Sequence, residues 1–73
     1  MLKPRHITAA LTDVTPRKAG DWLRGDRSPS VIDLGRILQA FPDLDAREFV
    51  VELGRRREER IALEAVVKAQ RGE

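Results

Sequence analysis

The sequence predicts an all-α fold, a small domain of four to five helices with an extended C-terminal helix. Three observations carry that reading. Apolar residues recur at helical spacing along the chain, and no stretch makes a convincing strand. Helix-start signals, a hydroxyl or carboxylate residue followed three positions later by an acid, precede the two later apolar runs. From residue 31 onward eight basic and nine acidic side chains are mixed in sign, as on a solvated helical surface.

The elements follow in order. Arg5 to Leu11 places Ile7, Ala10 and Leu11 at the i, i+3, i+4 spacing of a short amphipathic helix, which Thr12-Asp13-Val14 breaks. Thr15-Pro16 restarts the chain: a hydroxyl residue fits the N-cap, and proline at the first helical position gives up no needed hydrogen bond. The second helix runs from Pro16 to about Arg24, with Ala19, Trp22 and Leu23 inward and Arg17, Lys18 and Asp21 outward. Gly25 ends it. Ser30 with Asp33 caps a third helix, whose core positions are Leu34, Ile37, Leu38 and Phe41 and which Pro42 closes. Asp45 with Glu48 caps a fourth, with Phe49, Val50 and Leu53 inward, and Gly54 is placed to end or bend it. Arg55 to Arg60, "RRREER", is polar all round and is expected as a solvent-exposed connection or helix. Beyond it Ile61, Ala62, Ala65, Val66 and Ala69 form one stripe, with Leu63 and Val67 on an adjoining face. The expected division is residues 1–54 as the domain and 55–73 as a helical extension for assembly or docking.

Composition bounds the function. At 73 residues the chain is one domain, of a size that buries only about 60% of its unfolded surface. It has no cysteine, which excludes a disulfide framework and a thiolate metal site. No apolar run approaches the roughly 20 residues of a membrane span, and "MLKPRHITAA" lacks a signal-peptide core, so a soluble intracellular protein is expected. The net charge is only +2, but residues 1–30 carry six basic side chains against three acidic ones. A basic amino-terminal face suits an anionic partner such as a nucleic acid backbone.

Two short helices joined by a tight turn, the second with basic residues near its start, have the geometry of a helix-turn-helix that lays one helix in the DNA major groove. The stretch "ITAALTDVTPRKAGDWLRGDRSPSVIDLGRILQAF", Ile7 to Phe41, resembles the helix-turn-helix domain of the Cro and phage-repressor (XRE-like) family. Its most telling part is "DWLRGDRSPS": an aromatic-x-x-glycine helix end, a loop with a proline, and a serine-capped helix. The resemblance covers about half the chain. Aligned on Trp22 and Gly25, it implies base contacts from Pro16, Arg17, Lys18 and Asp21, and backbone contacts from Thr15, Arg24, Arg27, Ser28 and Ser30. Arg17 is the first choice for base readout, since a guanidinium can donate two hydrogen bonds to guanine O6 and N7. Asp21, beside phosphates, needs a cytosine amino group to accept from, or holds Arg17 or Arg24 in place. The amide groups near Ser30 are placed to receive a phosphate.

The chain departs from the family in three places. Only "MLKPRH" stands where the family has a full helix, the turn "TDVT" is one residue longer than the family's, and the usual glutamine falls on Pro4 or Arg5. Gly20 inside the second helix costs about 1 kcal/mol relative to alanine, which implies either a close backbone approach or an element that tightens on DNA.

Nothing in the sequence reads as an enzyme, and no cofactor or metal is expected. His6 is alone, Asp33, Asp45 and Glu48 are explained by capping, and Glu58, Glu59 and Glu64 by pairing with Arg55, Arg60 and Lys68. Arg24-Gly25-Asp26 matches an integrin tripeptide by coincidence, and Trp22 reads as a core anchor. The leading expectation is a sequence-specific double-stranded DNA-binding regulator, cytoplasmic and prokaryotic or phage-encoded. The alternatives are a protein-interaction module of helix-turn-helix shape, such as an antirepressor or transcription-complex adaptor, and a helical assembly element. With one family helix missing, Ile7, Leu11, Trp22 and Leu38 are expected to lack cover. A homodimer through Ile61, Ala62, Ala65, Val66 and Ala69 is expected to compensate, with a fold-back of the C-terminal helix on its own domain, or a protein partner docked on it, as the alternatives. The polar Arg55 to Arg60 segment is expected to be a spacer rather than a packed return.

Overall fold

A computed structural model of the protein describes residues 2–72. It is all-helical, with α1 at Pro4–Ala10, α2 at Pro16–Arg24, α3 at Val31–Ala40 and α4 at Ala46–Gln70, and no strand among the described residues. Four helices therefore account for the fold, and the last is a single rod.

Each start follows from its sequence signal. The Thr15 hydroxyl accepts the Lys18 amide at 3.1 Å, the Ser30 hydroxyl accepts that of Asp33 at 3.1 Å, and the Asp45 carboxylate accepts that of Glu48 at 2.9 Å. These side chains satisfy amides that a helix start leaves without partners. At α1 the same task falls on His6, whose Nδ1 accepts the Lys3 amide at 3.0 Å. The lone histidine is thus a helix-start acceptor. Leu11 lies just past α1 as its C-cap, so the helix sits one residue earlier than the Arg5 to Leu11 span.

Gly25 closes α2 in the left-handed region, φ 84°. The Asp26 amide reaches the Asp21 carbonyl at 2.9 Å and the Gly25 amide reaches that of Trp22 at 3.3 Å, the paired bonds of a Schellman motif. A side chain here meets a second obstacle, because a Cβ on Gly25 would lie 2.5 Å from the Arg56 carbonyl group.

The core consists of Ile7, Leu11, Val14, Ala19, Trp22, Leu23, Ile37 and Leu53, with Leu2, Leu34, Phe41, Leu44 and Phe49 packed half-buried around it. This corrects the expected shortage of cover. Ile7, Leu11 and Trp22 are at most 8% exposed, in one cluster with Leu53 of α4 and with Leu2 packed against it, whereas Leu38 is half-buried and lies outside that cluster. Of the α3 positions only Ile37 is fully buried, and Val50 of α4, expected inward, is 42% exposed.

Two further corrections concern α4. Gly54 does not end it, so the 54/55 boundary lies inside a continuous helix. The Arg55 to Arg60 segment is not a free spacer. Arg56 donates to the Leu23 carbonyl at 2.8 Å, Arg57 to the Gly25 and Asp26 carbonyls at 3.1 and 2.7 Å, and Arg60 pairs with Asp26 at 2.7 Å. The end of α2 exposes carbonyls that carry the negative pole of its dipole, and guanidinium groups complement both. Past this clamp α4 does not fold back. Ile61, Leu63 and Val66 are about half exposed, and the long rod gives the molecule extents of 44 × 24 × 21 Å. No described helix is long and apolar enough to cross a membrane.

Candidate nucleic-acid interface

Capping and packing together aim the first turn of α2 at solvent. Thr15 and Pro16 begin the helix, Ala19, Trp22 and Leu23 anchor its inner face, and Arg17 and Lys18 are left exposed. One open groove gathers Thr15, Arg17, Lys18, Asp21, Arg27, Ser28 and Ser30, together with Trp22 and Asp33. Seven of the nine side chains that the sequence pointed to thus border one concavity. Pro16 and Arg24 are not among those lining it.

The charges of this surface are sorted by pairing. Asp21 holds Arg24 at 2.8 Å and has Arg27 at 3.9 Å, while Asp26 also takes Arg24, at 3.1 Å. Of the two roles open to Asp21 as a holding group, it fills the one toward Arg24. Arg17 makes no hydrogen bond or ion pair among the described residues. Lys18 stands with its Nζ 5.6 Å from the centre of the Trp22 ring, a cation–π contact that points the stem along the helix. Among the described residues the first turn of α2 therefore presents two cations that make no ion pair, although Lys18 acts electrostatically on Asp13, and Asp13, Asp21 and Asp26 are each bonded to an arginine.

Gly20 lies against the same network: a Cβ there would come within 2.7 Å of the Arg24 guanidinium, the far end of a flexible side chain.

A second arginine fixes the frame. Arg36 of α3 bonds Asp13 in the α1–α2 turn at 3.0 and 2.5 Å and Asp33 at 3.4 Å. The Arg36 hydrogen bonds hold the Asp13 carboxyl below the usual carboxylate range. On α4, Arg55 likewise lowers Glu52, and Arg55 also bonds Glu59. Glu58, Glu64 and Lys68 make no ion pair among the described residues, and Arg60 turns to Asp26 rather than to a neighbour on its own helix.

Sequence reasoning missed three features. Val31 and Ile32, 88% and 77% exposed, follow Ser30 in the first turn of α3; the signal was present in "SPSVI", two aliphatic residues in a first helical turn. The Arg56, Arg57 and Arg60 clamp and the Asp13–Arg36 pair join residues far apart in the chain, and spacing does not report such pairs. Among the described residues no three potential metal ligands converge. Comparison with protein-family models, with characterised proteins and with solved structures finds no match to this chain.

Proposed function

We propose that the protein is a sequence-specific double-stranded DNA-binding transcriptional regulator that inserts α2 into the major groove. One observation carries the reading: Arg17 and Lys18, which make no ion pair among the described residues, line one open groove together with Arg27, Ser28 and Ser30. Such an arrangement offers base-reading cations flanked by backbone-binding hydroxyls and a helix start. Arg17 and Lys18 act on base edges, with Pro16 and Asp21 beside them, and Thr15, Arg27, Ser28 and Ser30 act on the sugar-phosphate. Arg24, tied to Asp21 and Asp26, is a positioning residue that keeps both carboxylates from repelling phosphate. The resemblance to Cro and phage repressors supports the same reading and a prokaryotic or phage cytoplasmic setting.

The exposed Val31 and Ile32, next in the chain to Ser30, favour a second reading, a protein-interaction module. Selection from a pool of random duplexes separates the two. Enrichment of one base sequence, lost on Arg17→Ala, is expected for the DNA reading. Retention that is weak and indifferent to sequence and salt would favour the protein partner.

A further inference from the structure

One hollow in the molecule plays no part in the DNA reading. It lies where the end of α2 meets the first turns of α4, encloses about 300 Å³, and is lined mainly by Leu2, Leu23, Leu44, Phe49 and Leu53. That volume stands at the lower end of the range for small-molecule sites, roughly 300–1,000 Å³, and a mostly apolar wall with a few convergent polar groups is their usual make-up. A second helix has no room along it, because Arg56 and Arg57 already tie the end of α2 to α4.

The polar groups of the hollow favour one sign of charge. Asp45, Glu48, Glu52 and Arg56 complete its lining. Arg56 is engaged within the fold, donating to Glu52 at 3.0 Å and to the Leu23 carbonyl at 2.8 Å, and Glu52 is held by Arg55 as well. That leaves Asp45 and Glu48, exposed carboxylates that make no ion pair among the described residues. Acids in a first turn suit the dipole of their own helix, but the dipole does not account for an apolar hollow beside them. An anion is repelled from such a place, and a neutral apolar molecule leaves both carboxylates without a partner.

We propose that this hollow binds a lipophilic organic monocation, an alkyl- or arylammonium, with its apolar body among Leu44, Phe49 and Leu53 and its charge toward Asp45 and Glu48. Phe49 contributes an aromatic ring, whose face attracts ammonium groups. The hollow also borders the joint between α2 and α4, since Leu23 and the Arg56 that grips its carbonyl both line it. A bound cation therefore stabilises that joint by mass action. The site does not depend on the DNA reading and is tested without DNA.

The probe is benzyltriethylammonium, with benzenesulfonate as the anionic control, each titrated into the intact isotope-labelled chain and followed by amide chemical shifts. Saturation with a Kd of about 1 mM or tighter is expected from ordinary ligand efficiency, with the largest shifts at Leu23, Leu44 and residues 48–53. Glu48→Gln keeps the backbone amide that Asp45 receives and removes only the charge. It is expected to weaken the cation by about threefold, and Glu48→Lys and the change to benzenesulfonate each by about tenfold or more. A melting temperature that rises with the cation in the parent but not in Glu48→Lys agrees with the proposal. No saturable shift up to about 10 mM overturns it, as does binding indifferent to the sign of the probe or to both substitutions at Glu48. Saturation of the same residues by a lysine-rich amphipathic peptide, with the small cation inert, also overturns it and gives the hollow to a segment of another protein.

Discussion

Two glycines of similar appearance in the sequence have opposite roles, and their substitution separates them. Gly25 combines a φ of 84° with a Cβ position 2.5 Å from the Arg56 backbone. Gly25→Ala is therefore expected to destabilise the fold by more than the roughly 1–2 kcal/mol of left-handed strain alone. Gly54 lies mid-helix with no atom within 4 Å of an added Cβ, so Gly54→Ala is expected to stabilise by about 0.5–1 kcal/mol. Urea melts of both variants check the pair, and equal signs would contradict the reading. The arginines divide in the same manner. Arg17→Ala is expected to cost about 1–3 kcal/mol on the preferred duplex and to flatten preference at one base pair. Arg27→Ala is expected to weaken binding to all duplexes alike, and binding curves on matched and mismatched sites report the difference. The sequence showed Gly25 as a stop and Arg17 as exposed, since both follow from local spacing. It did not show Arg56 pressing on Gly25, because nothing near residue 25 names the residue that packs against it.

At the scale of elements, helix identities and starts were legible because each rests on a residue within three positions of the start. Thr15, Ser30 and Asp45 all cap as their spacing implies. What joins the elements was hidden. Arg55 to Arg60 reads as solvated from composition, yet its guanidinium groups lie on carbonyls more than thirty residues away, contacts that only a folded chain creates. The Asp13–Arg36 pair is a second such joint and gives a pH signature. The hydrogen bonds from Arg36 depress the folded-state pKa of Asp13. Its contribution is thus fully present above the ordinary carboxylate range and is lost as pH falls through the folded value. Asp13→Asn is expected to be less stable than the parent at neutral pH, with the gap closing in acid. Chemical denaturation at several pH values measures this, and a gap independent of pH would show that the carboxylate is not what matters.

For the whole molecule, α4 is both part of the core and an outrigger, and truncation divides these roles. A chain ending at Arg60 keeps Leu53 and the three clamping arginines, and is expected to melt close to the parent. One ending at Gly54 loses the clamp and is expected to melt markedly lower, because the carbonyls at the end of α2 are left without their guanidinium partners. Thermal melts of the two decide it. The DNA reading also has a global signature: with three or four phosphates engaged per chain, log K is expected to fall with log salt at a slope near −3 for one copy and about −6 for a pair. Binding measured across a salt series checks it, and a flat response would favour the protein-interaction reading. The dependence of α2 on α4 also concerns the time at which the protein becomes competent during synthesis. The groove is written in the first half of the chain, but the bonds that close α2 come from residues 31 to 33 positions later than the carbonyls they meet. A nascent chain holds its groove-lining residues well before it has the means to fix them. Domains emerge N-terminal end first, so a prematurely terminated product carries the cationic first turn of α2 on a loosely held helix, and only chains completed past Arg57 present it in its final form.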